Sequence, residues 1–189
     1  MIEQLNMALF YMINQYAGLN PFVDTFAILS AQYTPLIFVI ALICLWIKKG
    51  TTTKNIVLYS IYAAILGLII NYVIGQFYFH PRPFMIPIGT TLFHYPAETS
   101  FPSDHTTFMI SIALMMSYFK ETRKISMMLV ILGLIGGFLR VFAGVHFPLD
   151  IIGSLGVSII ASLTVYYLKD SLTSLNRKIE GVYSKIAGR

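Results

Sequence analysis

Five long apolar runs, separated by short polar segments, constrain the fold of this chain more than any other feature of its sequence. The runs cover approximately residues 22–47, 56–79, 104–119, 125–142 and 149–168. An α-helix needs about 20 apolar residues to cross the hydrocarbon core of a bilayer. Only 11% of the residues are charged, whereas a soluble domain has roughly 25%. The sequence therefore predicts an all-α integral membrane protein that forms a single domain over residues 1–189.

Both ends of the chain are amphipathic rather than uniformly apolar. Residues 2–17 place apolar side chains at helical spacing, which predicts a helix at the membrane interface and leaves a sixth span open. Residues 170–189 place apolar side chains on one face with basic residues around them, which predicts an amphipathic tail on the inner leaflet. The expected architecture is a bundle of five to six transmembrane helices.

The basic residues are distributed unevenly among the polar segments. Eleven of the 13 follow the first, third or fifth apolar run: Lys48, Lys49, Lys54, Lys120, Arg123, Lys124, Lys169, Arg177, Lys178, Lys185 and Arg189. The positive-inside rule makes that side cytoplasmic. Arg82, Arg140 and all four histidines fall on the opposite side. The sequence therefore predicts a multi-pass membrane protein whose polar cluster faces outward.

A histidine and an aspartate stand four residues apart at the start of the last apolar run. Pro148 suits the first turn of a helix there, so Asp150 can reach the imidazole of His146. A carboxylate that accepts from one ring nitrogen leaves the other with a free lone pair, and His146 can then act as a nucleophile or base. A purely structural His–Asp hydrogen bond is the alternative that this pair alone leaves open.

A serine and a histidine open the third apolar run, where residues 101–105 read FPSDH. Ser103 is a favoured N-cap, and the free backbone N–H groups of a helix start bind anions. His105 in the first turn would face the same anion and could donate a proton to it. A capped helix start with a solvated histidine is the open alternative.

Two arginines lie close to these segments along the chain. Arg82 stands between two prolines, which make its backbone stiff and non-helical, and Arg140 ends the fourth run. The planar guanidinium group suits phosphate oxygens, while anchoring to lipid headgroups is the alternative for each arginine. Charge beside a bilayer is costly. The shared location of two arginines, two histidines and one carboxylate therefore favours a site that cleaves phosphate esters or anhydrides.

These segments resemble the motifs of the type 2 phosphatidic acid phosphatase (PAP2) superfamily, which read K-x6-R-P, P-S-G-H and S-R-x5-H-x3-D. The matching residues are Arg82, Pro83, Pro102, Ser103, His105, Arg140, His146 and Asp150. Residues 78–84 and 101–107 are especially similar to the bacitracin-resistance undecaprenyl-diphosphatases of bacterial envelopes. The chain departs from the motifs at Gly75, Asp104 and Leu139, where they have lysine, glycine and serine.

The resemblance implies a PAP2-like helical fold and a three-part site. His146, held by Asp150, would attack the terminal phosphorus and form a phosphohistidine, and His105 would protonate the departing lipid phosphate. The residues that would hold the phosphate oxygens are Arg82, Arg140 and Ser103. The implied reaction is hydrolysis of undecaprenyl diphosphate to undecaprenyl phosphate on the outer face of the bacterial cytoplasmic membrane. Hydrolysis of phosphatidylglycerophosphate or phosphatidate is the nearest alternative, and a non-catalytic carrier or exporter subunit that binds anions is the other.

The expected partners are the lipid diphosphate substrate and the bilayer, with no obligate protein partner. The net charge of +5 does not indicate a nucleic-acid partner, because the basic residues form short loop clusters without interleaved aromatic residues. No metal or other cofactor is expected, because the arginines would supply the positive charge that Mg²⁺ supplies elsewhere. The histidines also lack a compact zinc-binding spacing.

Overall fold

Six α-helices and one short 3₁₀ helix account for the regular structure of the described residues, 1–47 and 50–186, of the computed structural model. The helices are α1 (Ile2–Asn14), α2 (Pro21–Ile47), α3 (Thr51–Phe77), α4 (Asp104–Ser117), α5 (Arg123–Phe142) and α6 (Pro148–Ile186), with the 3₁₀ helix at Pro83–Met85. These two stretches contain no β-strand, and the prediction of an all-α protein is confirmed. Lys48, Lys49 and Arg189, which contributed to the predicted sidedness, lie outside the described residues.

Four helices within the described stretches are long and apolar enough to cross a membrane, namely α2, α3, α5 and α6. They support the prediction of a multi-pass membrane protein. α1 has 13 residues and α4 has 14, fewer than the ~20 that a span requires. The expected number of five to six transmembrane helices therefore stays a prediction, as does the location of α1 at the membrane interface.

α4 lies inside the bundle, in contact with α2, α3, α5 and α6. Small residues allow this close packing. A Cβ added at Gly67 of α3 would lie 2.8 Å from the Thr107 methyl group of α4, closer than van der Waals contact permits. From α6, the Ser154 hydroxyl donates to the backbone oxygen of Ser103 at 3.0 Å. Such small side chains at helix contacts are typical of membrane bundles.

Two connections meet at one end of the bundle and carry the sequence motifs. Residues 78–103 join α3 to α4, and residues 143–147 join α5 to α6. The side-chain amide of Asn14, the buried last residue of α1, donates to the carbonyl oxygens of Thr90 and Phe142, both at 2.8 Å. α1 therefore fastens the long connection to the end of α5, which holds the motif residues of both connections in one place.

The segment predicted as an amphipathic tail forms the last part of α6, which is continuous over 39 residues. It packs along the first half of α3. The Tyr62 hydroxyl donates to Asn176 at 2.9 Å, and Lys54 pairs with Glu180 at 3.1 Å. Residues 187–189 of the tail lie outside the described residues. The location of this segment on the inner leaflet stays a prediction.

Candidate active site

Asp150, in the first turn of α6, is surrounded by polar groups that include His146. Its Oδ2 atom lies 3.3 Å from His146 Nδ1 and accepts the backbone N–H of Phe147 at 2.7 Å. The same oxygen accepts a hydrogen bond from the Ser100 hydroxyl, which also lies 3.3 Å from His146 Nδ1. His146 is 1% exposed and Asp150 is 0% exposed. The predicted histidine and aspartate are thus adjacent and buried, and Ser100 joins them.

The second ring nitrogen of His146 faces both arginines. Nε2 lies 3.1 Å from Arg82 Nη1 and 3.4 Å from Arg140 Nη2. Because a guanidinium group can only donate, Nε2 must accept, and the ring proton is on Nδ1, toward Asp150. Burial lowers the pKa of His146 to about 3, although Asp150 acts in the opposite direction. At neutral pH the imidazole is therefore neutral, and its Nε2 lone pair is directed at the arginines.

Arg82 is fixed by its backbone and by hydrogen bonds from its guanidinium group. The residue is extended and lies between two prolines at the start of the 3₁₀ helix. The guanidinium donates to the carbonyl oxygens of Val145 and Thr99 at 2.9 and 3.1 Å. It also donates to the exposed Glu98 carboxylate at 3.2 Å. These bonds hold Arg82 beside Nε2 of His146.

Arg140, in the last turn of α5, is 1% exposed. Its Nη1 atom donates to the carbonyl oxygen of Ala31 in α2 at 2.8 Å. The Nε atoms of Arg140 and Arg82 are both buried, and neither has a hydrogen-bond partner among the described residues. Two such N–H groups near a neutral histidine suit the oxygens of a phosphate group.

Tyr95, which the sequence motifs do not include, lies between the two arginines. Its ring centroid is 4.4 Å from Arg82 Cζ and 5.0 Å from Arg140 Cζ, within the range of cation–π contacts. The same ring lies against those of His105 and His146, with centroids 6.4 and 6.5 Å apart. Tyr95 therefore connects four of the six residues predicted to form the site. No spacing or composition marks it in the sequence, where it is one of 12 tyrosines.

The two predicted residues near the start of α4 take different positions. His105 lies in the first turn, partly buried, on the side that faces Tyr95. Ser103 is the N-cap of α4, and its hydroxyl oxygen accepts from the backbone N–H and the hydroxyl of Thr106 at 3.4 and 3.1 Å. The capping role predicted for Ser103 is thus observed. Its part in holding phosphate and the proton transfer by His105 stay predictions.

His80 and Asp150 are also in contact, on the carboxylate oxygen that His146 does not use. His80 Nδ1 lies 3.3 Å from Asp150 Oδ1, and its Nε2 lies 3.4 Å from Glu3 Oε1. The motifs left His80 without a role. Its position in the sequence, two residues before Arg82, is the signal that pointed toward the site.

The structure shows which residues surround the three positions that depart from the motifs. A Cβ at Gly75 would lie 3.2 Å from the Thr99 methyl group, so a lysine there would require Thr99 to move. Asp104 is exposed and accepts from the Asn71 amide at 2.8 Å, so its carboxylate is paired with α3. Leu139 belongs to an apolar cluster between α2 and α5, where a serine hydroxyl would have to be buried.

The described residues contain no group of three or more histidine, cysteine, aspartate and glutamate side chains placed to hold a metal ion. The arrangement instead provides one neutral imidazole, two guanidinium groups and a buried carboxylate. The expectation that no metal takes part stays a prediction.

Comparison with known proteins places the chain in a family. The model of the PAP2 superfamily matches residues 56–173. The chain is 34% identical over 185 residues to the undecaprenyl-diphosphatase BcrC of Bacillus subtilis (strain 168), covering 98% of this chain and 95% of that protein. It is 26% identical over 192 residues to the bacitracin transport permease protein BcrC of Bacillus licheniformis, covering 99% and 91%.

A solved structure shows the same fold. The crystal structure of Aquifex aeolicus LpxE matches with a TM-score of 0.72 and 28% sequence identity, over 86% of this chain and 95% of that one. The family match covers more than half of the chain, and its residues include every motif residue from Arg82 to Asp150. The helical bundle, the buried His–Asp pair and these matches agree, and the chain belongs to the PAP2 superfamily.

Proposed function

We propose that this protein hydrolyses undecaprenyl diphosphate to undecaprenyl phosphate on the outer face of the cytoplasmic membrane, through a phosphohistidine at His146. One observation carries the proposal. Nε2 of the neutral, buried imidazole lies 3.1 and 3.4 Å from two guanidinium groups, so the nucleophile and the phosphate-binding cations are already adjacent. The sequence similarity to the B. subtilis undecaprenyl-diphosphatase over 98% of this chain supports the choice of substrate.

In the first step, Nε2 of His146 forms a bond to the terminal phosphorus while the bond from that phosphorus to the bridging oxygen breaks. Arg82 and Arg140 stabilise the charge on the equatorial oxygens. The imidazole becomes positively charged as it is phosphorylated, and Asp150 compensates this charge through Nδ1–H. The leaving group is undecaprenyl phosphate.

His105 protonates the bridging oxygen as the leaving group departs. In the second step, the neutral His105 takes a proton from water, and the resulting hydroxide attacks the phosphorus. The bond to Nε2 breaks, which releases inorganic phosphate and restores neutral His146. His105 shares the Tyr95 ring with His146, which places it at the site. Burial and the two guanidinium groups disfavour its charged form, so the negative charge of the bound diphosphate must stabilise the protonated ring before it donates.

An apolar groove between α2 and α3 supports a lipid substrate. It has a volume of about 480 Å³ and is lined by residues that include Trp46, Leu68 and Phe108. Leu68 and Phe108 also line a smaller hollow that reaches Asp104 and His105. An isoprenoid chain in the groove would therefore place its diphosphate beside the charged cluster.

The charge distribution supports a site on the outer face. Eleven of the 13 lysines and arginines follow the first, third or fifth apolar run of the sequence, and such basic clusters remain on the cytoplasmic side of membrane proteins. Arg82 and Arg140 are the remaining two. An outward site would recycle the lipid carrier on the side where wall polymers are assembled.

A second candidate is an anion or lipid carrier without turnover, because the B. licheniformis relative is named a transport permease. The two candidates are separated by measuring phosphate release by the purified protein from undecaprenyl diphosphate, phosphatidate and phosphatidylglycerophosphate side by side. We expect fastest release from undecaprenyl diphosphate. Equal or faster release from a phospholipid would reassign the substrate, and binding without any release would favour the carrier.

A further inference from the structure

We propose that His80 is a positioning residue of this site, a cationic bridge that joins Asp150 to Glu3 and thereby fixes the carboxylate that orients His146. The inference rests on the proposed role of His146 as the nucleophile. It assigns a function to a side chain outside the three motifs. It also gives α1, which carries Glu3, a part in catalysis.

The contacts of His80 place it between two carboxylates. Nδ1 lies 3.3 Å from Asp150 Oδ1, and Nε2 lies 3.4 Å from Glu3 Oε1. The ring packs edge-on against Phe147 with centroids 5.2 Å apart, and is stacked with Tyr78 at 6.1 Å. His80 is 8% exposed. These contacts leave the imidazole little freedom to turn away from Asp150.

The two oxygens of Asp150 have separate partners. Oδ2 accepts from Ser100 and from the Phe147 N–H, and faces His146. Oδ1 and His80 Nδ1 are both buried, and neither makes a hydrogen bond of good geometry with any described residue. They face each other at 3.3 Å, and their contact is an ion pair when the His80 ring is protonated. His80 is therefore the group that compensates the negative charge on Asp150 Oδ1.

The two carboxylates that face the ring nitrogens of His80 favour a proton on both nitrogens. A carboxylate can only accept, so a ring that satisfies Glu3 and Asp150 together must be the imidazolium form. The interaction with Asp150 raises the pKa of His80; burial opposes this increase, and Glu3 adds to it. The other ionisable neighbours are Tyr78, stacked on the ring, and His146 beyond Asp150.

The bridge has a consequence for His146. A carboxylate held at both oxygens keeps one orientation, and so does the Nδ1–H of His146 that points at Oδ2. The Nε2 atom of His146 then points at the phosphorus, and the ring does not have to reorient before it attacks. Misplacement of a reacting group by about 1 Å can cost on the order of 100-fold in rate, so the orientation of the imidazole is expected to affect kcat.

α1 is held firmly enough to provide the far end of the bridge. The Asn6 side chain accepts the backbone N–H of Leu149 at 3.0 Å, which attaches α1 to the first turn of α6. Phe10 is fully buried against Phe147. Glu3 is half-exposed, so water reaches its carboxylate while it remains beside His80.

The test measures kcat and KM across pH for His80→Ala, His80→Asn and Glu3→Gln. The matched control is His94→Asn, since His94 is an exposed histidine of the same connection. We expect His80→Ala to lower kcat by about tenfold or more with little change in KM, because His80 does not touch the substrate. Asparagine places a neutral N–H near the position of Nδ1, so His80→Asn should recover much of kcat at neutral pH.

The pH profile separates positioning from folding. In the wild type, loss of the second proton from His80 should lower kcat on the alkaline side, in addition to the loss caused by deprotonation of the general acid His105. The His80 contribution should be absent from His80→Asn and should move to lower pH in Glu3→Gln, whereas the His105 contribution should remain in both variants. Unchanged kcat and an unchanged alkaline limb in His80→Ala would overturn the proposal. An equal loss in His80→Ala and His80→Asn, with the wild-type pH profile retained, would also overturn it.

A second measurement does not depend on turnover. The His80 imidazole can be titrated by NMR in protein with labelled histidine, with its signal assigned from His80→Asn. Glu3→Gln should lower the pKa of His80, and the same pKa in both proteins would overturn the bridge. Absence of phosphate release by the wild type from every lipid would instead overturn the proposed function, while the titration would still decide whether the bridge exists.

Discussion

Arg140 donates a hydrogen bond, 2.8 Å long, to the carbonyl oxygen of Ala31, the acceptor that Pro35 leaves without a helical partner. In an α-helix the N–H of each residue donates to the carbonyl four residues earlier. Pro35 lies inside α2 and has no N–H, so the Ala31 oxygen is free to accept from another helix. The proline inside α2 thus leaves a carbonyl oxygen free, and this oxygen anchors Arg140 at the site.

We expect Pro35→Ala to reduce activity without destabilising the protein. Alanine supplies the missing N–H, which competes with Arg140 for the Ala31 oxygen. Proline in a helix interior costs about 3 kcal/mol relative to alanine, so the melting temperature should stay the same or rise. KM should rise several-fold, because Arg140 loses its fixed position.

Pro21→Ala is the matched control for this substitution. Pro21 lies in the first turn of α2, where no helical hydrogen bond is missing. Its replacement should leave KM unchanged. If KM is the same in Pro35→Ala and in Pro21→Ala, the anchor has no part in phosphate binding.

His146→Ala should abolish phosphate release while the protein remains inserted in the membrane, since the variant lacks the Nε2 lone pair that lies beside both guanidinium groups. Asp150→Asn should retain a small residual rate, because the imidazole survives with its orientation weakened. Wild-type protein quenched during turnover should carry acid-labile phosphate on His146. Wild-type rates in His146→Ala would sink the assignment of the nucleophile.

His105→Ala should slow hydrolysis of the lipid diphosphate much more than hydrolysis of a nitrophenyl phosphate. The lipid leaving group needs a proton, whereas nitrophenolate leaves without one. Comparison of the two substrates on the same preparation removes any effect of incomplete folding. Equal losses on both substrates would mean that His105 binds phosphate and does not act as the acid.

Tyr95 should contribute to phosphate binding through its contacts with Arg82 and Arg140. Each cation–π contact is worth about 0.5–2 kcal/mol, so Tyr95→Ala should raise KM several-fold or more as both guanidinium groups lose a surface that orients them. Tyr95→Phe keeps the ring and should resemble the wild type. A rise of KM in Tyr95→Phe as large as in Tyr95→Ala would assign the effect to the hydroxyl instead.

The sidedness can be tested with single cysteines in a Cys44→Ser background. Thr91 and Thr52 are both exposed, at opposite ends of α3 and its following connection. An impermeant thiol reagent added to whole cells should label Thr91→Cys and not Thr52→Cys. The reason is that the basic residues predict a cytoplasmic location for the end of the bundle that carries Thr52. The reverse pattern would place the site in the cytoplasm.

The sequence by itself predicted the helical membrane fold and the residues proposed for the centre of the site. Apolar length and loop charge act locally, so they can be recognised without knowledge of the packing. The spacing between Arg140, His146 and Asp150 is likewise short, since one helix end, one connection and one helix start contain all three. The similarity of the motifs to those of the PAP2 superfamily could be recognised from the sequence because the motif residues lie close together along the chain.

The tertiary structure alone decided what surrounds these residues. Ala31, Tyr95, Ser100 and Glu3 come from α1, α2 and the long connection, and no local pattern relates them to His146 or Asp150. Their contacts exist because α1 packs against α5 and α6 and α2 packs against α5, which brings segments distant in sequence within hydrogen-bond range. A free carbonyl, a buried hydroxyl or an aromatic face becomes part of a site only through such packing, because its chemistry depends on the partner it meets.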